Sequence, residues 1–238
     1  MNYYFLLEDS KSLFTVLPYW LEYMDFPCTW VADIEDVVSN HYIMQSGFGG
    51  TQLITKALFD TIETIIEKPG KIDHLVIILD AEEEDVEHRK IEVMEKIEEF
   101  RQEQKCTFDF QIKVIVVNRC FESWLLGNVN LYPDDVPPEN SDFFAYYKYY
   151  NIKESDPETM VRPVDSIEST TAKYHFHYLC EALRYQKIRY SKKRPQNICT
   201  KEYFQQIIQR IHTTEHMNSF RELWQYIEEQ KTKDIIQN

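Results

Sequence analysis

An α/β fold is predicted by three observations in this 238-residue chain. Three near-continuous apolar runs, Tyr3–Leu7, Asp73–Leu79 and Phe110–Val117, have the composition of strands covered on both faces. Segments with helical apolar spacing separate them. From Thr171 onward the helical spacing is no longer interrupted by strand-like runs. Strand, helix, strand, helix, strand in that order specifies βαβ units and a mainly parallel, Rossmannoid sheet. The α/β core is placed at residues 1–128, and a mostly helical C-terminal region with a basic segment at 129–238.

Each element has a local reason. Tyr3–Leu7 is apolar and stops at Glu8-Asp9-Ser10, a polar turn. Ser12–Tyr23 carries helical spacing interrupted by Pro18, and Cys28–Val31 and Tyr42–Met44 are short strand candidates. Ser46–Thr51 reads SGFGGT and holds three of the five glycines. Gln52–Glu67 follows as a helix, with Leu53, Ala57, Leu58, Thr61, Ile62, Ile65 and Ile66 on one side, and Pro69-Gly70 stops it. Glu83–Gln104 is an acidic helix whose inner stripe is expected to be Ile91, Met94, Ile97 and Phe100. A helix is expected to start at Ser123–Leu126. Residues 129–170 hold five prolines and read as irregular, with the aromatic stretch Phe143–Tyr150 taken as packing. Helices are expected over 171–190, about 200–212 and 217–231, with Thr200 and Asn218 as N-caps.

Composition narrows the function classes. Hydrophobic residues at 43% and charged residues at 28% are a globular balance, which excludes a disordered chain. No apolar run approaches the length of a membrane span. The five cysteines form no CxxC clip and no signal-peptide pattern precedes the first strand, so a cytoplasmic protein with reduced thiols is expected. The net charge of −14 is uneven: residues 1–140 carry 11 Lys/Arg against 27 Asp/Glu, and residues 141–238 carry 15 against 13. An acidic first half repels polyanions unless metal ions neutralise part of it.

Three strands end in carboxylates: Glu8 after the first, Asp80 and Glu82 after the central one, and Glu122 just past the next. In an open parallel sheet, functional residues gather at the strands' carboxyl ends. Neighbouring carboxylates raise one another's pKa unless a cation joins them, and hard oxygen ligands suit Mg²⁺ or Mn²⁺. Taken singly, each is most simply an ordinary turn former or cap, and Glu83, Glu84, Asp85 and Glu87 are helix N-terminal charges favoured by the dipole. The SGFGG loop reads as a tight strand-to-helix turn and does not match the P-loop pattern.

The order Glu8, Asp80-x-Glu82, then Phe121-Glu122-Ser123-Trp124-Leu125-Leu126 resembles the Toprim domain. The likeness is greater to the small stand-alone Toprim proteins of bacterial anti-phage defence, OLD-type and RloB-like, which carry a segment similar to Asn118–Leu126. The resemblance covers about residues 1–128 and implies a Mg²⁺-dependent nuclease. In it Glu8 acts as general acid or base or as a ligand, Asp80 and Glu82 hold the metal, and Glu122 completes the shell. It also implies a toxin-like effector working with a partner ATPase. Two departures stand out: Glu8 is followed by Asp9 where glycine is usual, and the second acid of the pair is Glu82 instead of Asp, with Asp85 as a spare ligand one turn on.

Arg184, Lys187, Arg189, Lys192, Lys193 and Arg194 place six cations in eleven residues, with Tyr185 and Tyr190 interleaved. This segment is either a nucleic-acid-binding patch, pairing phosphates and stacking bases, or a solvated helix end. His175 and His177 read as ordinary helix residues. The expected function is therefore metal-dependent cleavage of DNA or a structured RNA such as tRNA. A non-catalytic interaction module whose acidic face docks a basic partner, and a phosphohydrolase acting on a small nucleotide, are the alternatives. A homo-oligomer is left open.

Overall fold

The computed structural model describes residues 1–237. Five parallel strands form one sheet in the order β2-β3-β1-β4-β5, with β1 Tyr3–Leu7, β2 Thr29–Trp30, β3 His41–Ser46, β4 His74–Asp80 and β5 Gln111–Val117. The protein is α/β, with a Rossmann-like core and a helical C-terminal half. The chain goes from β1 to the edge strand β2, returns to β3 beside β1, then crosses to β4 on the other side. The order of the sheet therefore reverses at β1 and β4, the place where open α/β sheets form their binding crevice.

Alternate residues of each strand face opposite sides of the sheet. Tyr3, Phe5, Leu7, Val76, Ile78, Ile115 and Val117 enter one core. Tyr4, Leu6, Leu75, Ile77, Leu79, Val114 and Val116 enter the other. The second core is closed by helix α3 (Leu58–Ile66), α4 (Val86–Gln104) and the segment that precedes α3. That segment starts as α2 (Gly50–Gln52) and runs through a π-helical turn at Leu53–Ala57 into α3. The first core is closed by α1 (Ser12–Tyr23), α5 (Phe121–Leu125), α7 (Thr171–Tyr185), α8 (Lys201–Thr213) and α9 (Asn218–Gln237). Its centre is aromatic: Trp20, Phe121, Trp124, Phe204 and Phe220 lie ring against ring.

Several boundaries differ from expectation, each for a visible reason. The acidic helix starts at Val86, because Asp85 is its N-cap and accepts from the backbone N–H groups of Glu87 and His88. Both capping bonds use Asp85 Oδ1. The buried stripe of α4 is Val93, Ile97 and Phe100, whereas Ile91 and Met94 are exposed. Helix α7 ends at Tyr185, where Lys187 takes a left-handed φ of 63° and its N–H returns to Arg184 O. The irregular stretch contains a short helix, α6 (Phe144–Tyr149), packed through its tyrosines onto α7. Thr200 caps α8 as expected, accepting from Tyr203 N–H. All five cysteines are free thiols, and among the described residues no helix is long and apolar enough to cross a membrane.

Candidate functional site

The parallel register brings the acidic strand ends to one edge. Leu7 lies opposite both Ser46 and Ile78, and Asp80 opposite Val117. Glu8, Asp80 and the Asn118–Glu122 turn therefore emerge side by side. Glu8 is held by the sheet itself: its N–H donates to Ile78 O at 3.0 Å, and its Oε2 accepts from Asp80 N–H at 2.8 Å. Asp9, standing where the resembled family has glycine, caps α1 instead. Its carboxylate accepts from the N–H groups of Lys11, Ser12 and Leu13 at 2.7, 2.8 and 3.2 Å.

The glycine-rich turn closes over Glu8. Gly49, at φ 111°, donates its N–H to Glu8 O and lets the chain turn into α2. Gly50 sits so close that a Cβ on it would meet Arg89 Nη2 at 2.6 Å and Glu8 Oε1 at 3.2 Å. A side chain there would push the Arg89 head group aside. Arg89, from the first turn of α4, pairs with Glu92 at 2.6 Å and leaves its Nε without a partner among the described residues. Burial raises the Glu8 carboxyl above its ordinary value; the Asp80 N–H and Arg89 oppose that rise, and Glu82 adds to it.

Asp80 is held well above the usual carboxylate range, first by burial and then by the charges of Glu8 and Glu122, with Lys192 and the Phe121 N–H opposing. Glu122 is on the first turn of α5 and is 1% exposed. Lys192 Nζ lies 2.9 Å from Glu122 Oε1, while Glu122 Oε2 has no hydrogen-bond partner among the described residues. Burial pulls the Lys192 ammonium down, but Glu122 outweighs it and the net displacement is upward.

The structure thus brings together Glu8, Asp80 and Glu122. It does not place Glu82 among them in the same way. Glu82 is exposed, adopts a left-handed φ of 54°, and is tied through its backbone to Arg119. Its neighbour Glu83 instead anchors the start of α7, accepting from Thr171 N–H at 2.6 Å and Thr171 Oγ1 at 3.1 Å. Among the described residues no three Asp, Glu, His or Cys side chains are gathered into a ready metal shell. The reasons are local: Glu8 is turned onto the Asp80 N–H and Glu122 onto Lys192. The residues still fit a hard divalent ion, because Glu122 keeps a buried, unpartnered carboxylate oxygen and neighbours Asp80, which itself adjoins Glu8.

The basic segment divides. Arg184 pairs with Glu181 at 2.6 Å and Asp142 at 3.6 Å. Lys192 is paired with Glu122 of the carboxylate cluster. Lys187, Arg189, Lys193 and Arg194 are exposed and form no ion pair among the described residues.

The site is also built from behind. His175, completely buried, takes a hydrogen bond with Ser123 at 2.9 Å through Nδ1 and one with Met160 O at 2.8 Å through Nε2. Since Met160 O can only accept, Nε2 carries the proton and Ser123 donates to Nδ1. Glu158, 2% exposed, accepts from Trp124 Nε1, Ser219 Oγ, Ser219 N–H and Phe220 N–H. These two buried polar groups lock both sides of α5 and so fix where Glu122 points. No spacing in the sequence signals either pairing, because the α5 partners Ser123 and Trp124 lie 52 and 34 residues from His175 and Glu158.

Comparison with protein-family models, with curated proteins and with solved structures finds no match to this chain.

Proposed function

We propose that the edge formed by Glu8, Asp80 and Glu122 is a divalent-cation-dependent phosphodiester-cleaving site, and that the chain is a nuclease. The observation that carries this reading is the fully buried Glu122 carboxylate with one oxygen unpartnered, neighbouring Asp80, which in turn adjoins Glu8 at the switch point of the sheet. Asp80 and Glu122 would hold Mg²⁺ or Mn²⁺, with Glu8 beside them. A divalent ion there supplies Lewis-acid stabilisation of the negative charge that builds on phosphate oxygens. Glu8, whose carboxyl burial raises, is suited to take a proton from the attacking hydroxyl and return it to the leaving oxygen. The Asp80 N–H orients Glu8 for that transfer. The exposed cations Lys187, Arg189, Lys193 and Arg194 would bind the nucleic-acid backbone.

A second reading, a non-catalytic interaction module, is favoured by one observation: Lys192 already neutralises Glu122. The deciding experiment incubates DNA, total RNA and tRNA with wild type, Glu8→Gln and Asp80→Asn, each with Mg²⁺, Mn²⁺ or EDTA. Metal-dependent cleavage lost in both folded variants supports the nuclease. A folded wild type that cleaves none of them and binds no Mn²⁺ supports the module.

A further inference from the structure

Lys192 stands out because it joins two features that the sequence keeps apart, the acidic strand ends and the basic segment. It is carried by the loop that follows α7, between Tyr185 and Lys201. Its backbone is anchored: Lys192 O accepts from Ser12 Oγ at 3.5 Å, and Ser191 and Arg194 form a bridge around it. Its Nζ lies over the Phe176 ring, 5.5 Å from the centre, and 2.9 Å from Glu122 Oε1. The same ammonium acts on Asp80. It therefore sits beside two of the carboxylates that a divalent ion would use.

The two ends of this side chain differ in freedom. The Glu122 carboxylate is buried and fixed on α5, while the Lys192 side chain is 46% exposed. A lysine stem has four rotatable bonds and a strongly hydrated head, so it can leave toward water. Leaving forfeits one ion pair and one cation–aromatic contact. The carboxylate cannot follow it. An ion taking Glu122 with both oxygens must evict the ammonium from Oε1.

We infer that Lys192 is a displaceable counter-ion: it neutralises Glu122 in the metal-free chain, and a divalent cation that takes both Glu122 oxygens does so as Lys192 swings out. This deepens the reading of the edge as a metal site and rests on it. It also couples the site to substrate. A polyanion that attracts Lys192 outward vacates Glu122, so metal and polyanion each favour the other's binding, as linkage requires.

The test measures Mn²⁺ binding by electron paramagnetic resonance for wild type, Lys192→Gln and Lys193→Gln, with circular dichroism confirming the fold. Removing the competitor is expected to tighten Mn²⁺ in Lys192→Gln by about tenfold or more, the equivalent of one charged hydrogen bond. Lys193→Gln is expected to stay within about twofold, since Lys193 lies outside the cluster. In wild type, amine-reactive labelling read by mass spectrometry should rise several-fold at Lys192 on adding Mg²⁺, with Lys193 as the internal reference. Equal Mn²⁺ affinity in wild type and Lys192→Gln, or unchanged Lys192 labelling by a chain that binds Mn²⁺, overturns the exchange and leaves the metal site standing. No Mn²⁺ binding by either protein overturns both.

Discussion

Asp80→Asn should make the metal-free protein more stable. Asp80 lies between Glu8 and Glu122, with Lys192 as the nearest opposing charge. Two unit charges about 4 Å apart interact by about 1 kcal/mol in water and about 4 kcal/mol at an effective dielectric near 20. Lys192 offsets one of the two repulsions, leaving a net cost of about 1–3 kcal/mol at neutral pH. Asn keeps the shape, and its Oδ1 can still accept from the Phe121 N–H that Asp80 uses. For a domain of this size each kcal/mol moves Tm by about 2–4 °C. The sign follows from proton linkage. The folded-state carboxyl is raised above its ordinary value of 3.8, so the folded chain holds that proton to higher pH than the unfolded chain does. Ionisation then costs the fold stability as pH rises above 3.8, and below it the two proteins should converge. Urea denaturation in EDTA across this range measures the difference. Mn²⁺ should shrink or reverse it, because only wild type keeps the full carboxylate set. An Asp80→Asn protein no more stable than wild type at neutral pH, or equally stabilised in acid, would refute the account of a strained, cation-seeking edge.

Two further outcomes follow from the same structure. Burial holds His175 at about 4, against an ordinary 6.5, so the unfolded chain takes up that proton first. The stability it contributes is complete above 6.5 and is lost as pH falls toward 4, about 3 kcal/mol in all at about 1.36 kcal/mol per unit. His175→Gln retains a donor for Met160 O and should flatten this slope in a urea series; an unchanged slope would assign the acid sensitivity to another group. Replacing Lys187, Arg189, Lys193 and Arg194 with Ala should reduce the dependence of log affinity on log salt for a labelled single-stranded oligonucleotide by roughly 3, if each cation meets one phosphate. Fluorescence anisotropy at several salt concentrations reads the slope, and an unaltered slope would remove this segment from the nucleic-acid surface.

Much of the fold was legible because strand burial leaves a local trace. The runs Tyr3–Leu7, Asp73–Leu79 and Phe110–Val117 are apolar at consecutive positions, which only a strand covered on both faces requires, and β1, β4 and β5 lie there. Glu8, Asp80 and Glu122 were legible for a related reason: in a parallel sheet every strand ends at the same edge, so an acid at the end of a run is placed before any contact is known. The inner stripe of α4 was misread at Ile91 and Met94, because an exposed apolar residue carries the same letter as a buried one.

The amino-acid sequence by itself determined the parallel α/β core, the helical second half and the three acids at one edge, since each follows from periodicity within about twenty residues. Only the tertiary structure decided that Glu82 is an exposed residue with left-handed backbone and that Asp85 is a cap. The same holds for the fixing of α5 by His175 and Glu158, and for the seating of Lys192, 70 residues beyond Glu122, on a buried carboxylate. The physical reason is reach: backbone periodicity repeats over a few residues, whereas ion pairs and buried hydrogen bonds join whatever the packed core brings within 3 Å.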